Sequence, residues 1–143
     1  MANICLTIGA KTSASTMMAG LTTIGGLQSW WTSDTSGDTA EGGTILFRFD
    51  GAGFDMKVLT STKDNVTWQC TGGPDEWIGT KVTFSVAEED GESNLMFKHA
   101  GWAEETPFHH HCSMKWASFL LSFKQYLDTG EGRAFPNDIK IAA

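Results

Sequence analysis

Apolar and polar residues alternate through the middle of the chain, as they do in strands with one buried and one solvated face. Five segments show this alternation, and their inward positions are Ile45, Phe47 and Phe49; Met56, Val58 and Thr60; Val66, Trp68 and Cys70; Val82, Phe84 and Val86; and Leu95, Phe97 and His99. Turn residues separate the segments at 51–53, 63–65, 72–75 and 89–92. These short connections predict an antiparallel meander, and Ile4, Leu6 and Ile8 predict a further strand at the start of the chain.

Helical spacing replaces the alternation in three places. Thr106-Pro107 is a favourable helix start, and Gly130 a favourable end. Two shorter helical patterns follow the first strand, and residues 32–43 between them and the meander are polar, acidic and rich in glycine, which predicts a loop. The apolar residues of the long helix are Phe108, Cys112, Trp116, Phe119, Phe123 and Tyr126, and those of the short helices are Met17, Met18 and Leu21, then Leu27, Trp30 and Trp31.

The apolar stripe of the long helix must be covered, and the apolar face of the sheet is the only surface large enough. The pattern therefore predicts an α+β fold in which a curved antiparallel sheet wraps around the long C-terminal helix, with two short helices after the first strand. A chain of 143 residues is long enough for one core. We expect a single domain over residues 1–143.

Charge and composition exclude several classes of partner. The net charge is −7, so the basic surface that nucleic acids and anionic membranes require is absent. No apolar run approaches the roughly 18 residues of a membrane span, and the N-terminus does not resemble a secretory signal. Cys5, Cys70 and Cys112 form no metal-type spacing, so we expect reduced thiols, a cytoplasmic protein and no cofactor or metal.

Six Trp and nine Phe predict an aromatic interior. These side chains either fill the space between sheet and helix or line a cavity there, because both structures need the same residue types. If a ligand cavity exists, its predicted lining is Met17, Met18, Trp31, Phe47, Phe49, Met56, Val58, Trp68, Phe84, Phe97, His99, Cys112, Trp116, Phe119 and Phe123.

Several segments resemble a known family. They are Trp30-Trp31-Thr32, Trp68-Gln69-Cys70, Glu76-Trp77-Ile78-Gly79-Thr80, Phe97-Lys98-His99-Ala100-Gly101-Trp102 and the stretch from Trp116 to Gly130. In this order they are similar to the START-related helix-grip superfamily (SRPBCC), and most similar to small homologues of the heat-shock protein 90 ATPase activator C-terminal domain. The resemblance implies a pocket between sheet and helix, usually for an apolar small molecule. It does not specify a function, since the superfamily contains carriers, cyclases and co-chaperone domains.

One segment departs from the family pattern. Residues 12–20 contain fewer strong helix formers and less side-chain bulk than the helix that usually follows the first strand, and Gly25-Gly26 stands where an acidic residue is common. Two explanations remain open: sequence drift with a looser cavity mouth, or a pocket widened by selection or engineering, with Met17 and Met18 as adaptable lining.

His99 is the candidate catalytic residue, because strand parity points it inward and an imidazole can act as acid or base near neutral pH. The alternative is a structural histidine, which we favour because no second polar group of matching parity is evident on the neighbouring strands to orient the ring. His109, His110 and His111 cannot ligate one metal together on a helix, since consecutive side chains point about 100° apart. Buried, inert thiols are expected at Cys70 and Cys112.

Three functions follow from these patterns. The first is a binding module for an apolar or aromatic small molecule between sheet and C-terminal helix. The second is an enzyme, natural or engineered, that uses His99 as acid or base in that cavity. The third, by family analogy alone, is a domain that interacts with a chaperone partner. A cavity with His99 pointing into it favours the first two, and a filled interior with an exposed apolar patch favours the third.

Overall fold

The computed structural model describes residues 1–143 as seven antiparallel strands in one sheet and three helices. The strands lie in the order β1-β7-β6-β5-β4-β3-β2. This α+β arrangement, a curved antiparallel sheet with a long C-terminal helix, confirms the predicted helix-grip fold. The elements are β1 (Ala2–Ala10), α1 (Ala14–Thr22), α2 (Ile24–Trp30), β2 (Asp34–Gly37), β3 (Thr44–Phe49), β4 (Ala52–Ser61), β5 (Asn65–Gly72), β6 (Lys81–Glu89), β7 (Glu92–Trp102) and α3 (Pro107–Thr129).

The strand parity is as the alternation predicts in β5 and β6, but not at the end of β4, where the pairing with β5 shifts register between Val58 and Thr60 and leaves Thr60 exposed instead of inward. Val66, Trp68 and Cys70 of β5 are buried, and so are the even positions from Val82 to Val86 of β6. Asp50-Gly51 and Asp90-Gly91 close two tight hairpins with positive φ at all four residues. Asp and Gly tolerate this left-handed backbone, which matches the twist of the flanking strands.

The loop prediction for residues 32–43 is wrong in part, because Asp34–Gly37 forms the edge strand β2 beside β3. Thr35 is the one residue of β2 that is buried. Side chains on both faces of this edge strand are polar, so its sequence shows no apolar alternation. The strand is held by backbone pairing with β3, which the sequence pattern does not predict.

The long helix α3 begins and ends where its capping residues predict. The hydroxyl of Thr106 accepts a hydrogen bond from the His109 amide, and Pro107 occupies the first turn. Gly130 ends the helix in the left-handed conformation, with its amide donating to the Tyr126 carbonyl. Trp116 in the middle of α3 packs on Phe97 of β7 at a ring distance of 4.5 Å. The apolar stripe therefore lies against the inner face of the sheet.

Thr23 is both the last cap of α1 and the first cap of α2, and the two helices pack closely at Gly20 and Gly26. The hydroxyl of Thr23 accepts from the Gly26 amide and so caps α2. A Cβ at Gly26 would lie 2.7 Å from the Gly20 Cα, and a Cβ at Gly20 would lie 2.6 Å from the Phe123 ring. The unusual glycines of residues 12–26 thus allow α1, α2 and α3 to approach closely. Met17 and Met18 are buried in the core at this crossing.

The space between sheet and helix is filled by one hydrophobic cluster. Trp30, Trp68, Phe47, Phe84 and Phe123 are all fully buried within it. No helix of the structure combines the length and apolar character needed to span a membrane.

Candidate functional site

An open cleft of about 730 Å³ lies beside the filled core, along one side of α3. We call it the α3 cleft. Its walls come from four parts of the chain: the end of α2, the β3–β4 hairpin, the β5–β6 loop, and the segment after α3. Its lining residues are Trp31, Phe49, Ala52, Gly53, Phe54, Gly73, Pro74, Trp77, Phe108, His111, Cys112, Lys115, Trp116, Phe119, Phe135, Asp138 and Lys140.

Helix α3 supplies the floor of the cleft through a stripe at helical spacing. The stripe consists of Phe108, His111, Cys112, Lys115, Trp116 and Phe119, which lie three and four residues apart. Residues at this spacing fall on one face of a helix. The periodicity that places Trp116 and Phe119 against the sheet therefore also provides a mixed strip beside it, in which apolar residues alternate with His111 and Lys115.

Aromatic rings hold the cleft walls together. Phe54 stacks on Trp77 with ring centroids 3.8 Å apart and planes 12° from parallel. Trp31 and Trp116 lie 4.9 Å apart, and Trp77 and Trp116 are stacked at 6.0 Å. Contacts of this kind are stronger than simple burial and fix ring orientation. The aromatic walls of the cleft are therefore preformed.

One end of the cleft is polar. Asp138, whose side chain is 5% exposed, accepts a hydrogen bond from Lys115 at 2.6 Å and another from Lys140 at 2.6 Å. Burial raises the pKa of the Asp138 carboxyl, but the hydrogen bonds and charge of the two lysines outweigh burial, so its pKa is lower than the ordinary 3.8. This residue is therefore a carboxylate at neutral pH, and it fixes both ammonium groups at the cleft.

His99 lies behind the cleft wall and is fully buried. Trp116 donates its indole N–H to His99 Nδ1 at 3.1 Å. On the other side of the ring, Nε2 lies 2.8 Å from the Thr80 hydroxyl, which itself donates to the Trp77 carbonyl at 2.6 Å. Because the hydroxyl proton is committed to Trp77, the network assigns the proton of the imidazole to Nε2.

The expectation that no polar group orients His99 is wrong. Thr80, which directly precedes β6 and shares the parity of Val82, supplies one partner, and the indole of Trp116 supplies the other. Burial, followed by the nearby His109, lowers the pKa of His99 from 6.5 to about 3. The ring is neutral at pH 7, and both of its nitrogens form hydrogen bonds. Through Trp116 directly and through Thr80 to the Trp77 carbonyl, it connects two residues of the cleft wall.

The thiols offer little nucleophilic chemistry. Cys112 lies in the cleft floor but is 5% exposed, and Cys70 is buried below the β5–β6 loop. Burial raises the pKa of each thiol to about 11, so both remain protonated near neutral pH. All three cysteines are unpaired, with Cys5 exposed.

The structure divides the predicted cavity residues between two locations. Trp31, Phe49, Cys112, Trp116 and Phe119 line the α3 cleft. The others lie in the packed core and do not line it, namely Met17, Met18, Phe47, Met56, Val58, Trp68, Phe84, Phe97, His99 and Phe123. Strand parity marks a residue as inward, but it does not separate the filled part of the interior from the cleft beside it.

Sequence reasoning missed several cleft residues, chiefly Phe54, Trp77, Phe108, Lys115, Phe135, Asp138 and Lys140. A signal existed for Phe108 and Lys115, which share the helical spacing of the stripe. No sequence signal existed for Phe135, Asp138 and Lys140, because residues 131–143 carry no periodic pattern. This segment reaches the cleft through individual tertiary contacts. One of these contacts pairs Phe135 with Thr32.

A group of potential metal ligands lies at the start of α3. The ligand atoms of Glu105, His109 and His110 lie within 4.8 Å of one another. His109 is buried, and neither of its ring nitrogens has a hydrogen-bond partner. Helical spacing excludes a site built from His109, His110 and His111 alone, but Glu105, which precedes the helix, adds a carboxylate. Two imidazoles and a carboxylate form a donor set that zinc accepts.

Comparisons with known proteins agree with the fold. The family model described as Activator of Hsp90 ATPase homolog 1-like protein matches residues 11–128. The solution structure of an Aha1 dimer from Colwellia psychrerythraea is 42% identical, with a TM-score of 0.85, and the match covers 92% of this chain and all of that one. No curated protein matched.

More distant solved structures show the same fold. MLL2253 from Mesorhizobium loti is 16% identical with a TM-score of 0.77, over 89% of this chain and 97% of that chain. CalU16 from Micromonospora echinospora is 19% identical with a TM-score of 0.71, over 90% of this chain and 75% of that chain.

Proposed function

The chain belongs to the Activator of Hsp90 ATPase homolog 1-like family, and we propose that it is a binding module that holds an apolar or aromatic small molecule in the α3 cleft. One observation carries the proposal: a preformed, open cleft of about 730 Å³ in which eight of the seventeen lining residues are Phe or Trp. Clefts of this size and lining are typical of small-molecule sites. The three unpaired thiols support a cytoplasmic setting.

The packing of the cleft walls supports binding without large rearrangement. Trp31, Trp77 and Trp116 are each about 2% exposed, so they form a rigid layer behind the half-buried rings of Phe54 and Phe108. The positions of the three tryptophans are fixed by one another and by the hydrogen bonds of His99. A ligand therefore gains apolar contact without first ordering these side chains, which reduces the entropy cost of binding.

The geometry does not favour acid–base catalysis by His99. A general base needs a free lone pair within hydrogen-bond reach of the substrate. The acceptor nitrogen of His99 is already bonded to Trp116, and the ring is sealed behind the cleft wall. We therefore assign His99 to the positioning of Trp116 and Trp77, and the binding module is preferred over the enzyme.

The proposal is tested by titration with N-phenyl-1-naphthylamine, a neutral apolar probe whose fluorescence rises in apolar sites. Phe108→Ala removes a half-buried ring from the cleft floor, and we expect a roughly 5- to 10-fold weaker Kd. Leu121→Ala is the control, because Leu121 lies on the same helix, is 58% exposed and lies outside the cleft. Equal affinity of the two variants would overturn the proposal.

A chaperone-interaction domain is the second candidate. The family match and the 42% identical Aha1 support it, and the open cleft is an exposed apolar surface of the kind that protein partners use. The test is binding to purified heat-shock protein 90, followed by competition with the naphthylamine probe. Binding that the probe displaces supports a protein ligand in the α3 cleft, and no measurable binding rejects this candidate.

A further inference from the structure

The polar end of the α3 cleft has more positive than negative charge. Lys115 and Lys140 share a single carboxylate, Asp138. The protein as a whole carries a net charge of −7. A local excess of positive charge at the edge of an apolar cleft is therefore a specific feature of this site rather than a property of the surface.

The hydrogen bonds of the two ammonium groups leave donors free. Each ammonium has three N–H donors. Lys115 uses one on Asp138 and one on the Ile139 carbonyl at 3.0 Å. Lys140 uses one on Asp138 and one on the Pro136 carbonyl at 3.0 Å. One N–H of each lysine remains, so two donors are held on either side of one carboxylate at the cleft edge.

Aromatic rings limit where these ammonium groups can move. Lys115 Nζ lies 4.6 Å from the centre of the Phe119 ring, and Lys140 Nζ lies 5.1 Å from that of Phe135. Both rings also line the cleft. Cation–π contacts therefore keep the two positive groups beside the apolar surface on which a ligand would rest.

Resting on the proposed function, we infer that the ligand of the α3 cleft is an amphipathic monoanion. Its apolar body lies among Trp31, Phe54 and Phe108, and its acidic group accepts hydrogen bonds from Lys115 and Lys140. A carboxylate or sulfonate supplies two acceptor oxygens for the two free donors. A cationic ligand would be repelled, and a neutral apolar one would leave both donors without a partner in the ligand.

A pair of matched probes tests this inference. 8-Anilino-1-naphthalenesulfonate and N-phenyl-1-naphthylamine have the same aromatic body, and only the first carries an acidic group. We expect the wild-type protein to bind the sulfonate at least 5-fold more tightly. Lys140→Met removes one ammonium whose side chain is 59% exposed, and we expect it to weaken binding of the sulfonate more than binding of the neutral probe, which reduces this preference to twofold or less.

Lys81→Met is the control for overall charge. Lys81 is exposed on β6 and lies outside the cleft, so the substitution should leave the preference intact. Equal affinity of the wild-type protein for both probes would overturn the inference, as would a parallel loss of both affinities in Lys140→Met. The proposed function fails differently: in that case the neutral probe does not bind, or its binding is the same in Phe108→Ala and Leu121→Ala.

Discussion

A single imidazole links the core of this protein to its cleft. His99 receives a hydrogen bond from Trp116 and bonds to Thr80, which in turn holds the Trp77 carbonyl. Protonation of the ring would place a second N–H against the indole N–H of Trp116. This conflict and the full burial of the ring act in the same direction, and both favour the neutral form.

His99 makes the stability of the protein depend on pH. In the unfolded chain the ring takes up a proton below its ordinary pKa of 6.5, whereas in the folded protein it does so only near 3. The unfolded state therefore binds more protons between these values, and the free energy of unfolding falls as the pH decreases. We expect His99 to contribute about 1.4 kcal/mol per pH unit between pH 6 and pH 4.

The pH dependence of stability is tested by comparing the wild-type protein with His99→Gln in urea unfolding at several pH values. The variant should be less stable at pH 7 and should lose stability less steeply on acidification. Equal slopes in both proteins would contradict the assignment. If the variant does not fold, the His99 ring of the wild-type protein is titrated by NMR instead. A His99 signal that titrates near pH 6.5 would also contradict the assignment.

At the scale of elements, capping residues and alternation are enough to predict most of the fold. Thr106 accepts a hydrogen bond at the start of α3, and Gly130 ends this helix. The strand faces follow from period-two alternation. The edge strand β2 lacks that signal, because its side chains are polar on both faces. The junction of α1 and α2 was also missed, because close packing at glycine depends on which helices meet, and this is a tertiary property.

Adjacent glycines of α2 provide a matched test of that packing. A Cβ at Gly26 would meet the Gly20 backbone at 2.7 Å, whereas a Cβ at Gly25 would meet nothing within 4 Å. We expect Gly26→Ala to lower the free energy of unfolding by about 1–3 kcal/mol. Gly25→Ala should raise it by about 0.5–1 kcal/mol, since alanine favours the helix.

Thermal and urea unfolding of both variants measure the difference. The two substitutions add the same methyl group one residue apart, so intrinsic helix propensity cancels between them. Similar effects of the two changes would mean that α1 and α2 do not approach as closely as the structure shows.

In the molecule as a whole, the packed interior and the α3 cleft lie side by side and share residues such as Trp31 and Trp116. The resemblance implies a pocket between sheet and helix, but that space holds packed residues such as Phe84 and Phe123. The cleft lies to one side, where the β3–β4 hairpin, the β5–β6 loop and residues 131–143 surround α3. The α3 side of this cleft was open to prediction from sequence, together with Trp31 and Phe49. The remaining walls depend on long-range contacts of loops.

Asp138 attaches the C-terminal segment to α3, and the attachment depends on pH. Its pKa is lowered in the folded protein, so its contribution to stability is present above the ordinary value of 3.8 and is lost as the pH falls through the folded value. We expect Asp138→Asn to lower the free energy of unfolding by about 1–3 kcal/mol at pH 7. The difference from wild type should shrink as the pH falls below 4, and a difference that stays constant down to pH 3 would contradict this role.

The central claim, that a ligand binds in the α3 cleft rather than in the interior, is tested most directly by NMR. The six tryptophans give six indole N–H signals, and those of Trp31, Trp77 and Trp116 belong to cleft residues. With bound N-phenyl-1-naphthylamine, we predict intermolecular nuclear Overhauser effects to these three rings and to Phe108. Effects to the fully buried Trp30 and Trp68, with none to the cleft rings, would contradict the account.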